Sequence, residues 1–119
     1  MKQLLIVAHG SRRTASNDEV RVLATKVAKH LQLPIEQVQV AFLELALPSI
    51  ETALDECFQR GADEVNVLPY FLASGSHVVS DVPREIAAAQ LKWPNKTITV
   101  LPHIGAADSM IGLIASAYR

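Results

Sequence analysis

Three residues of this 119-residue chain have types that can do chemistry together: His9, Glu44 and His77. Two imidazoles and a carboxylate can hold a divalent metal and leave positions on it open. The same groups can move protons near neutral pH. Each one alone is weak. A lone histidine is as readily a structural hydrogen-bonder as a reactive group, and a lone Glu44 reads as a solvated loop carboxylate. Their weight comes from their positions. His9 follows the apolar run Leu4-Leu5-Ile6-Val7-Ala8 and opens His9-Gly10-Ser11-Arg12. His77 closes Ala73-Ser74-Gly75-Ser76-His77, which reads as a small, polar, mobile loop. Loops at strand ends are where sites are built. Ser11 and Arg12 lead into a helix, and a helix N-terminus with a guanidinium favours an anion. Arg13 and Arg84 can add to this, although ordinary surface charge explains each equally well. Gly75 and Ser76, beside His77, join Ser11 and Arg12 as substrate-contacting candidates. His30 reads as a helix C-terminal cap or surface residue and His103 as structural.

The elements that must position these residues alternate along the chain. Leu4 to Ala8 lacks polar alternation, as a strand buried on both faces would. Ser16 and Glu19 have capping-box spacing, so a helix is expected to start near them. Val20, Leu23, Ala24, Val27, Ala28 and Leu31 recur at helical spacing, and Pro34 closes that helix. Val38 to Leu43 is the second strand, and Gln37 and Gln39 make it an edge. Pro48 suits the first turn of a second helix. Leu47, Ile50, Leu54, Cys57 and Phe58 form the inner face of that helix, and Gly61 stops it. The third strand falls within Val65 to Phe71, interrupted at Pro69. A third helix is expected to begin at Pro83, with Asp81 near its cap, and to run to about Leu91. Thr97 to Leu101 alternates like an edge strand. Ala106 to Tyr118 closes the chain as a helix with Met110, Ile111, Ile114 and Ala117 inward.

This order is βαβαβαβα. Right-handed crossovers then imply an α/β fold: a four-stranded parallel sheet with helices on both faces. The polar strands belong outside, which predicts the order 2-1-3-4. The winding reverses between strands one and three, and ligands bind at such a switch point. His9 and His77 are thereby expected to face one crevice, which Glu44 can approach from strand two.

Composition narrows the function classes. The net charge of -1 gives no footprint for nucleic acid or an anionic membrane. A single cysteine, Cys57, cannot make an intrachain disulfide or a multi-cysteine zinc site, and it reads as a core residue. No stretch is long enough to cross a bilayer and no signal peptide is visible, so the cytoplasm is the expected compartment. One domain over residues 1–119 is expected.

Taken together, the motifs resemble a known family. They are His9-Gly10-Ser11-Arg12, then Phe42-Leu43-Glu44 with Pro48, then Pro69-Tyr70-Phe71-Leu72 with Gly75, His77, Asp81 and Pro83. The chain is similar over its whole length to the short sirohydrochlorin chelatases of the cobalamin and siroheme pathways, the class II chelatases. The resemblance implies a chelatase-like, flavodoxin-like three-layer fold. It implies insertion of cobalt or iron, or in some members nickel, into a modified tetrapyrrole. No nucleotide is needed, and no cofactor beyond the metal substrate. It maps the family's ligands onto His9 and His77 and matches Glu44 to an assisting acidic residue. The short forms act as homodimers. Pro102-His103-Ile104-Gly105 departs from the family's frequent Pro-Leu-Gly. Two other readings keep the same histidine. A mannose-type phosphocarrier also places His-Gly after a first strand, and a non-catalytic metal or tetrapyrrole carrier would bind without turnover.

Overall fold

In the computed structural model all 119 residues are described, except for the side chains of His77 and Val78. The apolar run near the start forms β1 (Lys2–Ala8), with Leu5, Ile6, Val7 and Ala8 buried. β1 pairs in parallel with β2 (Val38–Phe42) on one side and β3 (Glu64–Pro69) on the other. β4 (Thr97–Val100) adds to β3, so the order is β2-β1-β3-β4, as the polarity of the strands predicts. Ala8 lies opposite Phe42, and Val7 opposite Pro69. The three strands therefore end at one rim, and the segments that follow them share it.

Successive side chains of a strand point to opposite faces. Leu5, Val7, Val65 and Val67 face α2 (Ile50–Gln59) and α3 (Ser76–Lys92), where they pack with Leu54 and Phe58. Ile6 and Val38 face α1 (Thr14–Leu31) through Ala24 and Ala28. Burying each such aliphatic side chain contributes about 1.5–3 kcal/mol. This explains why β1 shows no polar alternation, since both its faces are covered. Trp93 ties α3 to α2: its indole N–H donates to Asp55 at 2.9 Å, and its ring lies 5.6 Å from that of Phe58. Gly61, at φ +100, ends α2 with its N–H bonded to the Phe58 carbonyl, which is the stop its sequence position predicts.

Several boundaries differ from expectation. α1 begins at Thr14, ahead of Ser16, and its N-cap Arg13 makes no side-chain cap, so the Ser16–Glu19 capping box does not form. Leu31 is exposed at the end of that helix. Pro48 precedes α2 instead of sitting in its first turn. The N-cap is Ser49, whose hydroxyl accepts from the Thr52 N–H at 3.2 Å, and Leu47 is exposed. α3 begins at Ser76 with Gly75 as N-cap, so Pro83 lies inside the helix and Asp81 does not cap it. Val82 explains this early start: it is 1% exposed and anchors the first turns to the sheet. Asp81 bonds Arg84 at 2.9 Å.

The largest departure is α4 (Ser109–Tyr118). It packs chiefly against the 3-10 turn Ile104–Ala106 that leads into it. Ile111, Ile114 and Ala117 are exposed and Met110 is only half-buried, so the expected inward face meets no sheet. Helices do lie on both faces, but α1 stands alone on its side. No helix among the described residues is long and apolar enough to cross a membrane.

Candidate metal centre

The rim at the ends of β1 and β2 brings His9 and Glu44 together. β1–β2 pairing continues past both strands: the Leu43 N–H donates to the Ala8 carbonyl at 3.0 Å, and the Glu44 N–H to the His9 carbonyl at 3.1 Å. This backbone ladder sets the two side chains side by side. His9 Nε2 lies 3.1 Å from Glu44 Oε1, with the side chains 52% and 50% exposed. Two donors each about 2.1 Å from an ion and this far apart subtend about 95°, close to the cis angle of an octahedral ion. The pair is half open to solvent, so a large flat molecule can reach it.

Gly10 makes this approach possible. Its φ is +93, and a Cβ built there would overlap the Glu44 carbonyl oxygen. Only glycine combines that backbone conformation with that closeness. Leu45 also has positive φ, at 66, where the chain turns away from Glu44 towards Pro48. Arg21 braces this turn. It donates to the Leu47 carbonyl at 3.2 Å and lies 5.1 Å from the centre of the Phe42 ring.

Ser11 is bound up in its own loop. Its hydroxyl accepts from the Arg13 N–H at 3.0 Å. Arg12 is exposed on the same rim, and Gly75 and Ser76 are exposed where α3 begins. Tyr70, in the segment between β3 and that helix start, donates its N–H to the Val7 carbonyl at 2.7 Å. His77 is the third predicted member, and its side chain lies outside the described residues; the backbone at position 77 falls in the first turn of α3. Among the described residues no three His, Cys, Asp or Glu side chains gather. His30 is exposed in the last turn of α1, as read from sequence. His103 is half-buried after β4, on a cavity shared with Leu68 and Leu101. Gly105 there meets the backbone of Leu72, and its N–H donates to the Phe71 carbonyl at 2.9 Å.

Burial pushes the Cys57 thiol up to about 11, so it stays protonated within the core. The N-terminal ammonium, bonded to Asp63 at 2.7 Å, holds that carboxyl below its usual range.

A model of the CbiX family matches residues 3–119 of the chain. The chain belongs to the CbiX family. The sirohydrochlorin ferrochelatase of Bacillus subtilis is 31% identical over 112 residues, which is 93% of this chain and 42% of that protein. The chain thus spans under half the length of that relative. Two solved structures share the fold. One is a putative cobalamin biosynthesis CbiX protein from Marinobacter aquaeolei, with TM-score 0.83 and 28% identity, covering 99% of this chain and 94% of that one. The other is the sirohydrochlorin chelatase of Bacillus subtilis subspecies spizizenii in complex with cobalt, with TM-score 0.84 and 30% identity, covering 98% and 49%.

One residue escaped the sequence reading. Asn17 of this CbiX-family chain is 7% exposed. Its amide nitrogen donates to the Ser11 carbonyl at 2.8 Å, and its amide oxygen accepts from the Ser11 N–H at 2.9 Å. It clamps the loop that carries His9. The only local signal is an amide on the buried stripe of α1, three residues before Val20. Asn17→Ala is expected to cost about 1–3 kcal/mol in denaturant unfolding, because two half-buried backbone groups of Ser11 lose their partner. Unchanged stability would mean that the clamp does not hold the loop.

Proposed function

We propose that this protein inserts a divalent metal into sirohydrochlorin, with cobalt or iron as the substrate ion and nickel as a further candidate, in cobalamin or siroheme biosynthesis. The observation that carries the reading is the His9–Glu44 pair, 3.1 Å apart on an open rim at the ends of β1 and β2, beside the switch point between β1 and β3. His77 completes a two-histidine, one-carboxylate set in this reading. Such a set suits iron and its neighbours and leaves coordination positions open. The relatives' names give the substrate class.

The reaction exchanges one metal dication for two pyrrole N–H protons. His9 and His77 hold the incoming ion from one face. The macrocycle nitrogens take it from the other, so ligands that hold it loosely favour transfer. Glu44 accepts one released proton, and a histidine or water takes the second. Arg12 pairs with the macrocycle's carboxylates, and Ser11, Gly75 and Ser76 shape the near wall. The metal is substrate, and the chemistry calls for no further cofactor or nucleotide. The unit is a single chelatase-like domain over 1–119, working as a homodimer in which the second protomer deepens a shallow rim. Nucleic acid and membrane have no part in this reading. The cytoplasm fits it, because a buried reduced thiol such as Cys57 is at home there.

The test is a metal-by-metal insertion assay with sirohydrochlorin, followed by absorbance. Cobalt and ferrous iron are expected to insert faster with the protein than without it. No acceleration with any ion, at protein in excess of substrate, would sink the reading. Binding of both substrates without turnover would point to a carrier. A phosphate gained on His9 from a phosphohistidine donor, seen by intact mass, would point to a phosphocarrier.

A further inference from the structure

Two residues other than glycine have a positive φ among the described residues, Gln32 at 57 and Leu45 at 66. Gln32 is explained by its place: it ends α1, and its N–H bonds to the Ala28 and Lys29 carbonyls. Leu45 ends no helix. It directly follows Glu44 and is 54% exposed. A bulky side chain on left-handed backbone is strained, and an exposed leucine gains nothing from burial. Asparagine or glycine would relieve both costs. Strain of this kind clusters where a chain meets its ligand. Leu72 is the counterpart across the site, 76% exposed in the segment after β3. The strand order β2-β1-β3 puts His9, after β1, between Leu45, after β2, and Leu72, after β3. Backbone bonds run on past the strands on both sides, from the Glu44 N–H to the His9 carbonyl and from the Tyr70 N–H to the Val7 carbonyl. Each flank is also fixed by a glycine with no room for a Cβ, Gly10 against the Glu44 carbonyl and Gly105 against the Leu72 carbonyl.

We propose that Leu45 and Leu72 are the two apolar lips on which the ring of the tetrapyrrole rests over His9, and that Leu45 keeps its strained backbone for this contact. The proposal deepens the reading above and rests on it. The ion passes from His9 to the ring nitrogens, so the ring centre must come within a metal–ligand bond, about 2 Å, of the ion that His9 holds. A tetrapyrrole is wider than one side chain, so a ring centred there overlaps the segments on either side. Its faces are apolar and its carboxylates lie on its edge. The chain's net charge of -1 offers such a polyanion no general attraction, and Glu44 repels it. Covering two exposed leucines supplies the favourable contact. Lips already held rigid lose little freedom on binding.

The test titrates metal-free sirohydrochlorin into the intact protein, follows its absorbance, and sets the result beside a cobalt titration and a melting curve. Leu45→Asn is expected to weaken tetrapyrrole binding about tenfold, what covering a leucine of this exposure contributes, while cobalt binding stays the same. Its melting temperature is expected to rise by about 4 °C, because asparagine accepts the left-handed backbone. Leu45→Met, which keeps an apolar side chain, is expected to bind as the wild type does. Leu72→Asn, on unstrained backbone, is expected to weaken binding about tenfold without raising the melting temperature. Unchanged tetrapyrrole affinity in Leu45→Asn overturns the proposal. So does a loss that Leu45→Met shares or that cobalt affinity follows, because the loop and not the side chain has then been damaged. A lower melting temperature in Leu45→Asn overturns the role given to the strain. If that variant does not fold, Leu72→Asn and Leu45→Met decide the lips by the same readings. A wild-type protein that binds sirohydrochlorin and inserts no metal overturns the proposed function and leaves the lips standing. One that does not bind it overturns both.

Discussion

His9→Ala is expected to slow cobalt insertion into sirohydrochlorin by at least about 100-fold, the lower end of what one positioned acid–base group contributes, while the circular dichroism spectrum stays native. The side chain is half exposed and packs into neither core cluster, so its removal leaves the sheet alone. What is lost is the nitrogen facing Glu44 Oε1. Glu44→Gln keeps the shape and removes the charge that draws a cation and takes up a proton. A smaller loss, about tenfold, is expected from it, because the imidazole still offers a lone pair. Acid should mimic the alanine variant. An imidazole must be neutral to ligate, so protons compete with the ion. Insertion is expected to fall as the solution is made acid. A flat profile, or His9→Ala at the wild-type rate, would remove His9 from the chemistry.

Gly10→Ala is expected to damage both fold and site. An L-residue at φ +93 costs about 1–2 kcal/mol in backbone strain. The new Cβ also collides with the Glu44 carbonyl, so the loop after β2 must move. That movement weakens the bonds from the Leu43 and Glu44 N–H groups to the Ala8 and His9 carbonyls, at about 1 kcal/mol each. The sum, about 3–4 kcal/mol, is a large part of the stability of an ordinary domain and corresponds to a melting temperature lower by roughly 15 °C. The protein that still folds is expected to bind cobalt poorly, because Glu44 has been pushed off His9. Gly61→Ala is the control: φ there is +100, but nothing lies within 4 Å of the added Cβ. It should cost strain alone, about 1–2 kcal/mol, with cobalt binding unchanged. If Gly10→Ala melts and binds cobalt no worse than Gly61→Ala, then the Gly10–Glu44 contact does not build the site.

Much of this molecule was written in local pattern. The unbroken run Leu4–Ala8 marked the central strand, and the glutamines near Val38 marked an edge. Those signals were enough for the order β2-β1-β3-β4, and with it the rim where His9 and Glu44 meet. Strand burial and helix periodicity depend on neighbours a few residues away, and a sequence displays these directly. α3 was misplaced for the same reason. Pro83 is a loud local signal for a helix start, but the burial of Val82 against the sheet outweighs it.

The closeness of Gly10 to Glu44 and the grip of Asn17 on Ser11 were not legible. The first contact joins loops over thirty residues apart in the chain. In the second, a polar side chain sits where spacing predicts only an apolar stripe. The sequence by itself determined the residue types of the candidate site, the strands that carry them and their order. Only the tertiary structure decided how near the two loops come, because that distance depends on a missing Cβ and a continuing backbone ladder. It also decided that α4 stands away from its own sheet. Helical spacing says that Ile111 and Ile114 share one apolar face, but it carries no information about what lies opposite that face.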